Sequence, residues 1–421
     1  MSSEKWKSVN IGEVCDFLRG LTYKKTDEVG FSSNAVLRAN NIALGKGVLN
    51  FDEIKYIRDD IKIADTKFVK KNSVLLCTAS GSKSHLGKTA FIDGHYEYAF
   101  GGFMGLLRPK SELDGKYLYW VTASKAYSDF IAGLSDGANI NNLKFSQLSE
   151  FSFPLPPIDE QKRIVAILDE AFAGIDAAIA NTEKNLVNAR ELFESYFQKI
   201  FNQRGEGWEL KSLESFSNIV NGYAFKSSDF SPQNEVKSIK ITNVGVYEFV
   251  QETDNYLPKN FLEEYSRYVA YEGDVVVALT RTIISSGLKV AIVPAEYDGA
   301  LINQRVAAVQ VDEDIMPKQI LQAFLSTKIA IDYVRSNVNE LMQPNLSIKD
   351  LKAFPIPVPP ADQLSSVSNQ IAEFGEKKNQ LVALYVSKID SLKELKQSLL
   401  QKAFSGELTA EPEKLMDEAV A

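Results

Sequence analysis

The chain is an internal duplication. Residues in its first half recur in its second half at a nearly constant shift of 202 or 203 positions. Such a shift means two copies of one structural unit with few net insertions, so a fold assigned to one half must also suit the other. The matched positions are Trp6, Ile11, Gly20 and Tyr23 with Trp208, Leu213, Gly222 and Phe225, segment 151–157 (FSFPLPP) with 354–360 (FPIPVPP), and segment 198–201 (QKIF) with 401–404 (QKAF).

Each half begins with a short helix and then several strands. In the first half, Asn10 with Glu13 three residues later predicts a helix N-terminus, and Gly20 predicts the end of that helix. β-branched and aromatic runs broken by Gly, Asn and Asp follow, and these predict a mixed sheet domain. The predicted strands are 72–78, 89–93 and 103–107 in the first half, and 236–242, 274–279, 289–293 and 305–311 in the second.

A proline-rich strap and a long helix close each half. Proline fixes φ and restricts the residue before it, so both straps are predicted to be extended. From Gln161 to Ile200 there is no proline, and apolar residues alternate spacings of three and four, which indicates a coiled-coil seam. The second copy, from Leu364 to Phe404, has Lys378 and Lys388 at seam positions, so we expect it to pair less regularly.

These elements predict an α+β fold. It consists of two repeated mixed α/β domains, each followed by a long helix, and the two helices pack as an antiparallel coiled coil. The alternative is two separate amphipathic helices, each packed on its own domain. The predicted boundaries are 1–153 for the first domain, 154–205 for the strap and central long helix, 206–356 for the second domain, and 357–421 for the second strap, C-terminal long helix and tail.

Composition and motifs exclude several classes of function. Only two cysteines are present, Cys15 and Cys77, which is too few for a disulfide framework or a thiolate zinc site, and we expect both to be buried in a cytoplasmic protein. No apolar stretch has membrane-spanning length. Segment 82–89 looks like a phosphate-binding loop but leads into a predicted strand where that motif needs a helix. Neither Pro-Pro pair has the flanking Asn or Asp and aromatic residue of an amino-methyltransferase.

The net charge of −8 is unusual for a nucleic-acid binder, but it is unevenly distributed. Residues 1–150 hold 20 basic and 17 acidic residues, a net of +3, whereas residues 206–354 hold 14 and 20, a net of −6. If the chain binds DNA, we therefore expect a partner protein to neutralise much of the phosphate charge.

The first strap and helix, segment 154–169 (PLPPIDEQKRIVAILD), resemble the strap-and-helix of the DNA-specificity subunits of type I restriction–modification enzymes. Segments 80–88, 280–287 and 303–305 are similar to this family too, and the resemblance covers essentially the whole chain. The second strap departs from the family pattern, because Pro359-Pro360-Ala361-Asp362-Gln363 lacks the Glu-Gln pair. This puts the partner contact of the second helix in doubt.

The resemblance implies a sequence-specific DNA-binding subunit without catalytic activity. Its two target-recognition domains each read one half of a bipartite double-stranded target, while the helix pair spans the unread spacer and docks two methyltransferase subunits. Two motor-nuclease subunits complete the restriction complex. S-adenosylmethionine, ATP and Mg²⁺ are expected on the partners, with no cofactor and no metal on this chain.

Base-reading residues are predicted among polar loop residues close to glycine, where the backbone can approach DNA. Arg and Lys side chains can fork onto guanine, and Asn and Gln onto adenine. Ordinary turn hydrogen bonding is the alternative role for such residues. The candidates are Arg38, Asn40, Asn41, Ser80, Ser82, Lys83, Ser84 and Lys88 in the first half, and Lys240, Thr242, Asn243, Arg281, Thr282, Ser285, Ser286, Lys289, Asn303, Gln304 and Arg305 in the second.

The sequence leaves one other function open and excludes a second. A coiled-coil scaffold with two protein-binding modules would suit the acidic second half. A fragment of a fused restriction–modification polypeptide would require a cofactor or nuclease motif, and the sequence shows none.

Overall fold

The two halves of the sequence fold into similar domains, in which one sheet has an equivalent strand order and the other sheet differs in its edge strand. The computed structural model describes residues 6–43, 47–81, 85–135, 142–251, 256–284, 287–337 and 345–410. Its contacts separate two units, residues 1–181 with 388–421 and residues 182–387. Each unit therefore holds one repeated domain and a part of each long helix.

The first half contains ten strands and five α-helices among its described residues. The strands are β1 (Ser8–Asn10), β2 (Cys15–Arg19), β3 (Glu28–Val29), β4 (Asn34–Leu37), β5 (Lys55–Ile57), β6 (Ser73–Cys77), β7 (Thr89–Ile92), β8 (Tyr98–Phe100), β9 (Met104–Pro109) and β10 (Ser152–Pro154). The helices are α1 (Ile11–Val14), α2 (Gly115–Thr122), α3 (Lys125–Ser135), α4 (Phe145–Leu148) and α5 (Ile158–Asn202).

The described part of the second half follows a similar plan and adds a two-stranded sheet, formed by Ile283–Ile284 and Gly287–Leu288. Its strands are β11 (Glu209–Ser212), β12 (Ser217–Asn221), β13 (Val236–Ile239), β14 (Tyr256–Leu257), β15 (Val269–Ala270), β16 (Val275–Ala278), β17 (Ile283–Ile284), β18 (Gly287–Leu288), β19 (Val290–Ile292), β20 (Ala300–Ile302), β21 (Val306–Val311) and β22 (Pro355–Val358). Its helices are α6 (Phe261–Glu264), α7 (Lys318–Leu325), α8 (Lys328–Asn337), α9 (Ile348–Lys352) and α10 (Ala361–Ser405).

Two four-stranded sheets form each domain. In the first domain the orders are β2-β9-β6-β7 and β3-β5-β4-β8, and in the second they are β12-β21-β16-β19 and β14-β13-β20-β15. The pairs β4–β8 and β13–β20 are both parallel. The central strands β6 and β16 are buried along their whole length, which is why they read in the sequence as continuous apolar runs.

The prolines of the straps lie in two-stranded sheets. Strand β10 pairs antiparallel with β1, and β22 pairs antiparallel with β11. Proline cannot donate a ladder hydrogen bond, so it is tolerated in such short edge strands. The predicted extended straps are therefore confirmed, and each closes its domain by pairing with the first strand of the same half.

The long helices are antiparallel within each unit. In the first unit, Asp176 of α5 forms a salt bridge with Lys396 of α10, whose ammonium also lies 4.8 Å from the Phe172 ring centroid. In the second unit, Tyr196 of α5 stacks on Phe374 of α10 with ring centroids 3.5 Å apart. Each helix has 45 residues. The predicted fold class is thus confirmed.

The seam of α10 differs from the predicted one. Lys388 and Leu395 are exposed, whereas Ile389 is buried. Lys378 does lie at the contact, with its ammonium 5.5 Å from the Tyr247 ring centroid. Burial lowers the pKa of Lys378, and the Glu194 carboxylate acts in the opposite direction. The buried face of α10 therefore includes Ile389 rather than Lys388. It also includes one partly buried lysine, Lys378, which lies near the Tyr247 ring and the Glu194 carboxylate.

The predicted first helix is wrong beyond Val14. The Asn10 backbone N–H donates to Glu13 Oε1 at 3.2 Å, as expected for a capping box, but α1 has only four residues. Residues 15–19 instead form β2, which pairs with β9. Pairing with a buried neighbouring strand overrides a local helix signal here.

Both cysteines are buried, as predicted. Burial raises the pKa of Cys15 to about 12, which is the behaviour of a structural thiol rather than a reactive one. Across the described parts of the chain, no helix is long and apolar enough to cross a membrane.

Candidate DNA interface

Loops from both sheets of the first domain meet beside the β8–β9 turn, residues 101–103. The Gly101 N–H donates to Leu37 O at 2.9 Å, and Gly101 also forms a parallel bridge with Leu21. The Thr78 N–H donates to Phe103 O at 2.9 Å. The ends of β2, β4 and β6 thus surround this turn, and we call the surface they form the loop edge.

The second domain builds the same loop edge around residues 303–305. The Asn303 N–H donates to Ile239 O at 2.9 Å, and the Leu279 N–H donates to Arg305 O at 2.9 Å. Asn303 forms a parallel bridge with Tyr223. Each of these contacts lies 201 or 202 residues from its counterpart in the first domain, so the two edges are equivalent.

A glycine in each half permits this close approach. A Cβ on Gly20 would lie 1.9 Å from Gly101 O, and a Cβ on Gly222 would lie 2.1 Å from Asn303 O. Any larger residue would push the β8–β9 turn, or its counterpart, away from the neighbouring strand. The recurrence of glycine at this shift therefore has a structural cause at the loop edge.

Two of the asparagines predicted as adenine readers, Asn41 and Asn243, hold turns instead of facing solvent. Asn41 Oδ1 accepts from the Arg38 N–H at 2.8 Å, and Asn243 Oδ1 accepts from the Lys240 N–H at 2.8 Å. The amide of Asn41 donates to Asn50 O at 2.9 Å, and that of Asn243 donates to Val250 O at 2.8 Å. Both asparagines are buried, so their amides are committed to shaping the edge.

Two of the predicted lysines also bond to the protein. Lys88 Nζ donates to Ile42 O at 2.8 Å, and Lys289 Nζ donates to Ile241 O at 2.7 Å. Both side chains are half-buried, and burial lowers the pKa of each. The Lys88 ammonium joins the β6–β7 segment to the loop after β4. The Lys289 ammonium joins the β18–β19 segment to the loop after β13.

Five predicted residues remain well exposed at the loop edges. Arg281 has a left-handed backbone with φ of 49°, which is uncommon for a residue with a side chain. The exposed candidates are Asn40, Thr242, Arg281, Gln304 and Arg305.

Other predicted residues are partly or fully buried. Thr282 is fully buried, and among the described residues its hydroxyl has no hydrogen-bond partner; the same holds for Arg38 Nε. The Lys240 ammonium lies 3.7 Å from the Phe230 ring centroid. Ser80 and Asn303 are half-buried. The predicted residues Ser82, Lys83, Ser84, Ser285 and Ser286 lie outside the described residues.

Phe103 lies at the loop edge but is not among the residues predicted from the sequence. It is 74% exposed, although phenylalanine is usually buried. The repeat would have identified it, because a shift of 202 places Phe103 at the position of Arg305. The prediction considered only polar residues, so it could not include Phe103.

The described residues contain no group of three or more His, Cys, Asp or Glu side chains that could hold a metal ion. The loop edge is instead a set of backbone turns with hydrogen-bonding and apolar side chains facing out. Such a surface suits recognition through groove contacts.

Comparison with known proteins gives the family. The family model of the type I restriction modification DNA specificity domain matches residues 3–189 and again residues 205–401. The chain is 24% identical over 428 residues to the type I restriction enzyme EcoKI specificity subunit of Escherichia coli K12, covering 97% of this chain and 90% of the relative. It is 26% identical over 413 residues to the MjaVIII specificity subunit of Methanocaldococcus jannaschii, covering 90% and 89%.

A solved structure has the same fold. A chain from a study of complex assembly and conformational transition of the type I R-M system superimposes with a TM-score of 0.71 at 17% identity, covering 97% of this chain and 100% of that one. The duplicated domains, the strap and the paired long helices all lie within this match. Since the family model matches both halves, this chain belongs to the type I restriction modification DNA specificity family.

Proposed function

We propose that this chain is the specificity subunit of a cytoplasmic type I restriction–modification complex and reads a bipartite DNA target, one half-site per recognition domain. The observation that carries this proposal is that the two domains present equivalent loop edges with different outward side chains. Phe103 corresponds to Arg305, Gly102 to Gln304, and Asn40 to Thr242. One scaffold with two sets of reading groups suits a target whose halves differ in sequence.

The exposed residues are the proposed base readers. Arg281 and Arg305 suit guanine, and Asn40 and Gln304 suit adenine, because these side chains can form two hydrogen bonds with the major-groove edge of those bases. These readers project from loops that other side chains hold in place. The holding residues are Asn41, Asn243, Lys88 and Lys289. The proposed base readers are therefore those predicted residues whose side chains are exposed to solvent.

The chain itself performs no chemistry in this proposal. Two methyltransferase subunits, which use S-adenosylmethionine, dock on its long helices, and two motor-nuclease subunits, which use ATP and Mg²⁺, complete the complex. The helices carry exposed apolar side chains suited to such docking, among them Leu192 at 63% and Leu384 at 62%. Partner subunits would also supply the phosphate contacts that a chain of net charge −8 provides only sparsely.

Co-expression with the cognate methyltransferase subunit tests the proposal. In a host without its own DNA modification, sequencing of modified bases should give one interrupted motif with unequal halves. The purified chain alone should transfer no methyl group from S-adenosylmethionine and hydrolyse no ATP, relative to a mock purification. Methyl transfer by the isolated chain, or modification without sequence preference in the co-expressed pair, would refute it.

A scaffold that binds proteins rather than DNA gives a different result. A gel-shift with sheared genomic DNA, with and without the methyltransferase subunit, distinguishes the two functions. A scaffold would assemble with its partner and leave the DNA mobility unchanged in both lanes.

A further inference from the structure

We propose that Phe103 reads the 5-methyl group of a thymine in the half-site bound by the first recognition domain. The second domain uses Arg305 at the same position for a polar contact. This inference rests on the proposed function, and it names a base and an atom group that the first half-site should contain.

The equivalence of Phe103 and Arg305 follows from hydrogen bonds, not only from the sequence shift. The carbonyl of Phe103 accepts from the Thr78 N–H and that of Arg305 from the Leu279 N–H, both at 2.9 Å. Each residue directly precedes the strand that pairs with the central strand of its sheet, β9 with β6 and β21 with β16. The two side chains therefore start from the same place in the same fold.

Phe103 is held outward by a firmly bonded backbone. Its carbonyl accepts three hydrogen bonds, from the Thr78 N–H at 2.9 Å, the Ala79 N–H at 3.1 Å and Thr78 Oγ1 at 2.9 Å. The side chain nevertheless is 74% exposed. Covering an exposed phenyl ring with a ligand removes apolar surface from water, which lowers the free energy of the complex. This position therefore favours binding through an apolar contact.

The remainder of this turn offers no competing side chain. Gly101 and Gly102 precede Phe103, whereas Asn303 and Gln304 precede Arg305. The glycines let the backbone come close to a ligand, and they leave the phenyl ring as the only side chain of the turn. Whatever the first domain reads with this turn, it reads with an apolar ring.

Thymine supplies the matching group. In the major groove, the other base edges present hydrogen-bond donors and acceptors, while the thymine C5 methyl is the apolar feature that a phenyl ring can contact. A guanidinium such as that of Arg305 would favour the two acceptors of guanine. The first domain has phenylalanine where the second has arginine, so we expect an apolar contact with the first half-site.

The test uses the full chain with its cognate methyltransferase subunit and duplexes bearing its modified motif. Each thymine of the motif is replaced in turn by deoxyuridine, which removes only the methyl group. We expect one position in the first half-site to lose about 3- to 5-fold in affinity, the value for one buried methyl group. Uracil at the second half-site serves as the matched control for the first.

Substitution of Phe103 identifies the residue responsible. In Phe103→Ala the uracil penalty should vanish, and in Phe103→Leu it should persist in part, because leucine keeps an apolar contact. Arg305→Ala should weaken binding through the second half-site and leave the uracil penalty intact. Retained preference for the second half-site shows that the Phe103 variants are folded.

The outcomes separate this inference from the proposed function. A wild-type complex without sequence preference would overturn the proposed function itself. A sequence-specific complex whose first half-site lacks thymine, or tolerates uracil everywhere, would overturn the inference alone. So would a uracil penalty that survives in Phe103→Ala, and so would loss of binding in Phe103→Ala without any uracil effect, which would indicate a wedge between base steps.

Discussion

Lys88 and Lys289 make the same hydrogen bond in the two halves of the chain. Each donates its ammonium to the carbonyl of an isoleucine in the loop after the parallel strand, Ile42 at 2.8 Å and Ile241 at 2.7 Å. A feature kept in both halves, while neighbouring exposed residues differ, serves the shared scaffold. We therefore expect these lysines to position the loop edge rather than to set a sequence preference.

Lys88→Met and Lys289→Met should each destabilise the chain. Methionine keeps the apolar stem but removes the donor, so the carbonyl loses its partner at a cost of about 1 kcal/mol. Urea unfolding at neutral pH measures this as a lower midpoint with an unchanged slope. The exposed Lys70 gives the control variant Lys70→Met, which should unfold like the wild type. Equal midpoints for all variants would remove the structural role.

Arg281 should separate binding from stability. Its left-handed backbone is strained for any residue with a Cβ, so Arg281→Gly should be more stable than Arg281→Ala by up to about 1 kcal/mol. Both variants lose the guanidinium, and both should weaken specific DNA binding by about 1–3 kcal/mol. Thermal unfolding and titration of the motif duplex measure the two effects. Unequal binding losses would show that the backbone, not the side chain, sets affinity here.

Gln161 anchors the start of α5 to the first domain. Its fully buried side chain accepts from the Asp114 N–H at 2.8 Å and donates to Glu112 O at 2.9 Å and Pro156 O at 2.8 Å. Gln161→Ala should therefore cost about 2–4 kcal/mol of unfolding free energy, because three backbone groups lose the partner that this buried side chain supplies.

Gln363 is the matched control for Gln161. It occupies the equivalent position of α10 but is only half-buried, and it accepts from Trp208 Nε1 at 3.0 Å and donates to Glu206 O at 3.3 Å. Water can replace these partners, so Gln363→Ala should cost about 1 kcal/mol. Guanidinium unfolding compares the two variants, and equal losses would contradict the difference in burial.

The exposed leucines of the long helices should contribute to partner docking. Leu192→Glu combined with Leu384→Glu should reduce co-purification of the methyltransferase subunit by 10-fold or more, since about 1.5–3 kcal/mol is lost for each apolar side chain no longer buried. Circular dichroism should show unchanged helix content, because both side chains are exposed. Leu262→Glu, in the short helix α6, should leave co-purification unaffected. Full retention of the partner by the double variant would place docking elsewhere.

Local patterns in the sequence predicted the long helices, the extended straps and several strands of the two domains. The predicted helix from Gln161 to Ile200 lies within α5, and predicted strands such as 89–93 and 274–279 lie within one residue of β7 and β16 at each end. These elements repeat apolar residues at a single period, which needs no knowledge of the rest of the chain. Residues 15–19 were one exception, because pairing with β9 decides their conformation. The predicted strand 236–242 was another, because β13 ends at Ile239.

The candidate site was less predictable for a physical reason. Asn41 and Asn40 are adjacent and chemically identical, yet one is 1% exposed and bonded to a turn while the other is exposed. Only the packing of the following loop separates their roles, and that packing depends on residues far away in the sequence. Composition can indicate polar residues in loops, but it cannot distinguish a residue that shapes a loop from one that projects from it.

A half-chain of residues 1–205 should form a homodimer. In the full chain, Phe404 at the end of α10 packs edge-on against Tyr117 with ring centroids 5.7 Å apart. Phe201 at the end of α5 lies 203 residues earlier and packs in the same manner on Phe324, at 5.2 Å. Two half-chains can therefore each insert Phe201 where the partner copy lacks Phe404, and pair their copies of α5 antiparallel.

The homodimer should be weaker than the native helix pair but measurable. In the homodimer, Phe193 of the second copy would take the place of Lys396, so the salt bridge with Asp176 is lost. The buried seam residues Leu168, Phe172 and Ile175 remain. Light scattering at micromolar concentration should give twice the half-chain mass, and Phe201→Ala should shift it toward monomer.

Symmetry then fixes the DNA outcome. Two identical readers related by a two-fold axis recognise a symmetric site. With the methyltransferase subunit, the half-chain should modify an interrupted palindrome made from the first half-site alone, which sequencing of modified bases detects. An asymmetric motif, or a half-chain that remains monomeric, would show that α5 cannot replace α10 at the end of the helix pair.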